Sequence, residues 1–165
     1  MKHIHSLSSE STLTNVQDED IQPNAVDLRL DKVFKINNNI FEISNDVKMH
    51  RGSTQLPVDE RDCFILQPGT YEFIMENEVS IGEHEAGFVL TRSTLIRNGC
   101  NLITGLYDSG YCGVIGGQLN VQGGWAVIKR GTRIGQFILF DAESLHKYNG
   151  DYGANKAHDD KYEVK

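Results

Sequence analysis

Apolar residues in this chain come in short runs, and over no long stretch do they recur with the 3.6-residue spacing of a helix. The runs are CFIL (63–66), GFVLT (87–91), NLITGLY (101–107), GVIGGQLNV (113–121), WAVIK (125–129) and RIGQFILF (133–140). Glycine or charge separates them, at the lengths and spacings of strands in a sandwich or barrel. The 16 glycines against 3 prolines supply tight turns for such a fold. The chain therefore reads as all-β. IQPNAVDLRL (21–30) and VFKI (33–36), then Asn37-Asn38-Asn39, then IFEIS (40–44), read as strand, turn and strand, since asparagine tolerates left-handed turn conformations. Residues 44–62 read as polar loop, and Gln67-Pro68-Gly69-Thr70 as a turn. Tyr71, Phe73 and Met75 mark the inner face of a half-buried strand, and STLIRNG (93–99) is a single helical turn leaving one. Residues 1–20 are an irregular polar lead, 21–146 one barrel domain, and 147–165 a flexible polar tail.

Charge narrows the partners. A net charge of −7 disfavours a general nucleic-acid binder, which depends on basic groups to release counterions. Between Phe88 and Phe140, however, stand Arg92, Arg97, Lys129, Arg130 and Arg133 against a lone acid, Asp108. A local positive field within an acidic chain suits a small polyanion. No apolar run reaches 18 residues, so no membrane partner is expected, and the first residues lack the apolar centre of a signal peptide. Cys63, Cys100 and Cys112 are odd in number and lack CxxC spacing, which argues against disulfides and zinc. The expected location is cytoplasmic, or at least intracellular.

Three segments carry chemistry. TRSTLIRNG (91–99) places Arg92, Ser93 and Thr94 at a strand end, with Arg97 five residues beyond Arg92. Guanidinium, hydroxyl and backbone N–H donors together are the set a phosphate requires. GLYDSGYCG (105–113) reads as a hairpin turn through Asp108-Ser109-Gly110-Tyr111. The Tyr111 ring offers a flat surface to a sugar, and Asp108 stands within reach of a sugar hydroxyl or a water. Asn101 and the main chain from Ile103 through Thr104 to Gly105 are candidates for reading a base edge. In the third segment, Gln136 lies within an apolar strand, where an unpaired amide is costly to bury, so it faces a ligand or an interface. Asp27 between apolar neighbours is either such a group or an edge carboxylate. Tyr148 and Tyr152, among Asn and Gly, either close over a ligand or pack as part of the tail.

In order along the chain, Ile21-Gln22-Pro23, Val26-Asp27-Leu28-Arg29-Leu30, Gln67-Pro68-Gly69, Arg92-Ser93-Thr94-Leu95, Gly105 to Gly113 and Gly131-Thr132-Arg133-Ile134-Gly135-Gln136 resemble the dUTPase/dCTP deaminase superfamily over roughly residues 20–152. The resemblance implies a distorted β-barrel or jelly roll, a homotrimer with active sites between subunits, and a Mg²⁺-bound deoxynucleoside triphosphate (dUTP or dCTP) as ligand. It implies that Arg92, Ser93 and Gln136 hold phosphates, that Asp108 orients or deprotonates the attacking water, and that Tyr111 stacks under the deoxyribose and excludes a 2′-hydroxyl. Asp27 would help order magnesium through water.

The motif IQPNAVDLRL and the tail YNGDYG resemble the deaminase branch more. Deaminases of this superfamily carry a proton-shuttling Glu ten residues after the motif aspartate, and that place is Gln118 here. An amide cannot accept and return a proton at neutral pH. The Gly-rich arm usual in dUTPases is also missing, but a phosphate lid can be rebuilt from other residues. The leading expectation is therefore a dUTP diphosphatase forming dUMP and pyrophosphate. The alternatives are a dCTP deaminase, with or without coupled hydrolysis, and a nucleotide-binding regulator without turnover.

Overall fold

In the computed structural model, which describes residues 1–156, most strands belong to a single sheet that curls into a nearly closed barrel. In chain order they are β1 (Thr12–Leu13), β2 (Val26–Ile36), β3 (Glu42–Ile43), β4 (Lys48–Met49), β5 (Ser53–Gln55), β6 (Cys63–Leu66), β7 (Gly69–Ser80), β8 (Glu85–Thr91), β9 (Cys100–Ile103), β10 (Cys112–Val121), β11 (Ala126–Lys129) and β12 (Arg133–Asp141). One short helix, α1 (Ser93–Arg97), stands where a single helical turn is expected from the sequence. The main sheet runs β8-β12-β2-β7-β10-β9, with β1 on β7 and β5 on β2; β6 pairs β11, and β3 pairs β4. Its two edges approach each other. Gly87 on β8 exchanges main-chain hydrogen bonds with Tyr107, just beyond β9, at 3.0 and 2.7 Å. Leu102 N–H donates to the Thr91 hydroxyl at 2.8 Å.

The expected β architecture holds, and its physical basis is alternation. Val26, Leu28, Leu30, Phe73, Met75, Ile115, Leu119, Phe137 and Leu139 point inward and are buried. One strand holds as read, and the segments after it need correction. IQPNAVDLRL and VFKI contribute to one strand, β2, which continues through an irregularity between Leu30 and Lys32 where it passes from β12 to β7. A bulge lets one strand serve two neighbours without a turn. Residues 44–62 are not wholly loop, since β4 and β5 lie within them, while IFEIS keeps only the two-residue β3. Ile40, Phe41, Ile43 and Met49 around this small hairpin are exposed. No core side chain fixes it there, so the apolar pattern misleads.

The lead is pinned to the barrel. Lys2 N–H donates to Leu139 O at 2.8 Å, Ile4 is buried, and β1 adds to the edge of β7. Glu85, only 1% exposed, receives Lys2 Nζ at 2.8 Å, Ser11 N–H at 2.9 Å and the Ser11 hydroxyl. Burial pulls the Glu85 pKa upward, but the Lys2 ammonium, the Ser11 hydroxyl and the Glu10 N–H outweigh it. Its carboxyl is held below the usual glutamate range. Residues 147–156 of the tail fold back on the barrel, and residues 157–165 lie outside the described residues.

Candidate active site

Between β9 and β10 the chain leaves the sheet at residues 104–111. Asp108 to Tyr111 form a tight turn in which Tyr111 N–H donates to Asp108 O at 3.0 Å, and Gly110 takes the positive φ that such a turn needs (+79°). The turn is tied down on both sides. Gly110 N–H donates to Ile81 O (3.0 Å), Ile81 N–H to Tyr111 O (2.8 Å), and the buried Ser109 hydroxyl to Glu85 O (2.6 Å). The exposed Asp108 side chain thus rides on a fixed backbone.

Beside the turn lies a cavity of about 310 Å³, within the usual range for small ligands. Tyr107, Tyr111 and Tyr148 make its aromatic wall, Tyr107 and Tyr148 meeting Tyr111 edge-on at centroid separations of 5.2 and 5.5 Å. The first two hydroxyls serve the main chain: Tyr107 donates to Gly116 O at 3.0 Å and Tyr111 to Val114 O at 2.9 Å. Gly116 and Gly117 leave the opposite wall open, and Ile74 and Val114 form a floor supported by Phe34. At one end the cavity shares Leu106 and Tyr148 with a depression that contains Asp108. At the other it shares Glu72 and Gly117 with a groove that contains Gln118, His50 and Arg51.

A second polar cluster lies where β2, β12 and the end of β8 meet. Asp27 is fully buried directly across from Gln136, whose Nε2 donates to Asp27 Oδ1 at 3.1 Å. Oδ2 has no hydrogen bond but lies 3.4 Å from Arg92 Nε and 3.5 Å from Arg133 Nη1. Arg92 also donates to Arg133 O at 3.1 Å. One buried anion thus orients two guanidinium groups, each about one third exposed, and Arg133 also lies 4.0 Å from the buried Asp20.

A family described as dCTP deaminase-like matches residues 2–142. The chain belongs to the dCTP deaminase-like family. It is 34% identical over 142 residues to a probable deoxyuridine 5′-triphosphate nucleotidohydrolase of Halobacterium salinarum, covering 83% of this chain and 85% of that one. Among solved structures it resembles the 2′-deoxycytidine 5′-triphosphate deaminase of Agrobacterium tumefaciens, with TM-score 0.59, 16% identity, and coverage of 79% of this chain and 42% of that longer one. The native EIAV dUTPase aligns with TM-score 0.55 and 14% identity, over 88% and 97% of the two chains. The two structural likenesses speak for the fold.

In this dCTP deaminase-like chain the expected site residues fall into separate groups. Gly105, Tyr111, Tyr148 and Tyr152 line the cavity, Asp108 stands in the depression that adjoins it, and Gln118 lies in the groove at its far end. Arg92, Gln136 and Asp27 form the second cluster, with Ser93, Thr94 and Arg97 exposed on α1. None of these three α1 residues, nor Arg92 or Gln136, lines the cavity, and β12 is separated from β10 by β2 and β7. Thr104 accepts Val89 N–H at 3.3 Å through its hydroxyl, and Asn101 pairs with Asn120 on β10. As site residues, Arg133, Tyr107 and Glu72 escape the sequence reading, although Arg133 is counted there in the basic cluster. The first lies within GTRIGQ, and the other two flank residues already singled out.

The Asp27 environment does not fit a protein-held cation. A metal near Oδ2 would meet two guanidinium groups, and the described residues contain no cluster of three or more His, Cys, Asp or Glu suited to a metal.

Proposed function

We propose that this protein hydrolyses dUTP to dUMP and pyrophosphate. The observation that carries this reading is the continuity of the aromatic cavity with the depression holding Asp108. A deoxyribose against Tyr111 leaves its 5′ substituent directed toward that depression, and a 2′-hydroxyl would crowd the ring. Asp108 is the general base that takes a proton from water as the water oxygen bonds to phosphorus and pyrophosphate leaves. Arg92, Arg133, Ser93 and Gln136 supply cationic and neutral donors for the phosphates, preorganised by Asp27.

Because this donor cluster and the cavity occupy different parts of one barrel, the reading requires a neighbouring subunit to bring its Arg92 to the cavity, as in a homotrimer. Magnesium would enter on the triphosphate oxygens, where its charge offsets theirs, with no ligand required from Asp27. The three cysteines are free, which accords with an intracellular setting, and no described helix is long and apolar enough to cross a membrane.

The second reading, dCTP deamination, is favoured by the family description and opposed by Gln118. Pure protein given dUTP and dCTP separately, with pyrophosphate and ammonia both measured, decides between them. Pyrophosphate from dUTP supports hydrolysis. Ammonia from dCTP would establish the deaminase, and binding without either product would leave a nucleotide-binding regulator.

A further inference from the structure

Among the described residues that line the cavity, Glu72 alone carries a formal charge. On β7 it stands directly across from Gln118 of β10, and also across from Phe34 of β2. Direct antiparallel partners on one face have Cβ atoms about 5 Å apart. Glu72, Ile74, Gly116 and Gln118 therefore share the outer face of the sheet, opposite Phe73 and Leu119 of the core. The Ser53 hydroxyl donates to Glu72 Oε2 at 2.6 Å and orients the carboxylate. Along the cavity, Asp108 and Tyr111 lie toward one end and Glu72 toward the other. A nucleotide with its sugar on Tyr111 and its phosphates toward Asp108 directs its base at Glu72.

We infer that Glu72 determines base specificity, and that it extends the substrates of this site to a pyrimidine bearing an exocyclic amine, dCTP, hydrolysed with the amine retained. The inference rests on the hydrolase reading of the same cavity. An ionised carboxylate only accepts hydrogen bonds. Cytosine offers it the N4 amine, the pairing by which acidic side chains recognise that base. Uracil turns its O4 acceptor to that place and meets the carboxylate only through the neighbouring N3–H, a poorer fit that still admits dUTP. The tyrosine hydroxyls of the wall are already engaged with main chain and do not compete for this role. In the reaction, water oxygen bonds to the α-phosphorus as the bond to the bridging oxygen breaks. The products are dCMP and pyrophosphate, and the proton from water passes to Asp108.

The test is kcat/KM for dCTP and dUTP with the full chain and with Glu72→Gln, measuring pyrophosphate and ammonia together. Wild type should hydrolyse dCTP within about tenfold of dUTP, without ammonia. Glu72→Gln should lower the dCTP-to-dUTP ratio by at least about tenfold, the scale of one base contact. Should that variant fail to fold, Ser53→Ala, which keeps the carboxylate but removes its anchor, should move the ratio in the same direction. A ratio unchanged in the folded variant, or dUTP turnover without dCTP turnover, would overturn the role of Glu72 and leave dUTP hydrolysis standing, whereas ammonia from dCTP would establish the deaminase and overturn both readings. Absence of pyrophosphate from both substrates would overturn the hydrolase reading along with the role of Glu72.

Discussion

Asp108 is exposed, yet the backbone beneath it is tied to Ile81 and Glu85, so removing its charge leaves the turn intact. Asp108→Asn should therefore reduce kcat for dUTP by about 10²–10⁴-fold, the usual contribution of a positioned base, while nucleotide affinity changes little. Steady-state rates and nucleotide titration check this together, and normal turnover would remove Asp108 from the chemistry. Asp108 and Tyr111 are legible in the sequence because turn and ring are four residues of one local motif. Asp27 is less so, since only the fold reveals that its partners are Gln136, Arg92 and Arg133. Glu72 is the extreme case. The alternation of Tyr71, Phe73 and Met75 says that it points outward, but not that Gln118 and a cavity meet it there. Contacts across strands distant in sequence leave no local trace.

Elements, rather than residues, set the shape of the cavity. β9 lies against β10 so closely that a Cβ on Gly117 would strike the Ile103 carbonyl and come within 3.0 Å of Thr104 Cγ2 and 3.2 Å of Phe73 Cε1. Gly117→Ala should force the two strands apart, costing about 1–3 kcal/mol in chemical denaturation and raising KM for the nucleotide. Unaltered stability and KM would show that β9 yields freely. The sequence pattern anticipates these two strands, β2 and α1, but not the irregularity by which β2 serves two neighbours. The lead is another element held by its partners. Because the Glu85 pKa is lowered in the folded state, its contribution to stability is present above the ordinary value of 4.5 and lost as pH falls through the lower folded value. Wild-type melting temperature should fall across that window. Glu85→Gln should be weaker at neutral pH by about 1.5–3 kcal/mol, the scale of hydrogen bonds to a buried charge, with a shallower loss in acid. Thermal melts between about pH 3 and 7 report both effects, and parallel acid slopes in the two proteins would show that Glu85 is not the group responsible.

Across the whole molecule, the cavity and the cationic cluster stand apart. One barrel holds an aromatic cavity beside Asp108 on the β9–β10 side and a cationic cluster around Asp27 at β2 and β12, with β7 between β2 and β10. A triphosphate seated in the cavity lacks cationic partners in its lining, and neither Arg92 nor Arg133 lines that cavity. The deficit vanishes if identical subunits close into a ring, each offering its Arg92 to the cavity of the next. This arrangement makes a prediction that an active monomer cannot satisfy. Asp108→Asn and Arg92→Ala should each be nearly inactive alone. Unfolded together and refolded as an equal mixture, they should recover about one quarter of wild-type activity, because random assortment pairs an intact Asp108 with a neighbour's intact Arg92 at that frequency. Light scattering should give three times the chain mass of 18.5 kDa for both variants and for the mixture. If the mixture stayed as inactive as its components while the trimer formed, Asp108 and Arg92 of one chain would have to meet within that chain. The separation of cavity and cluster would then have to close by movement of the chain rather than by assembly.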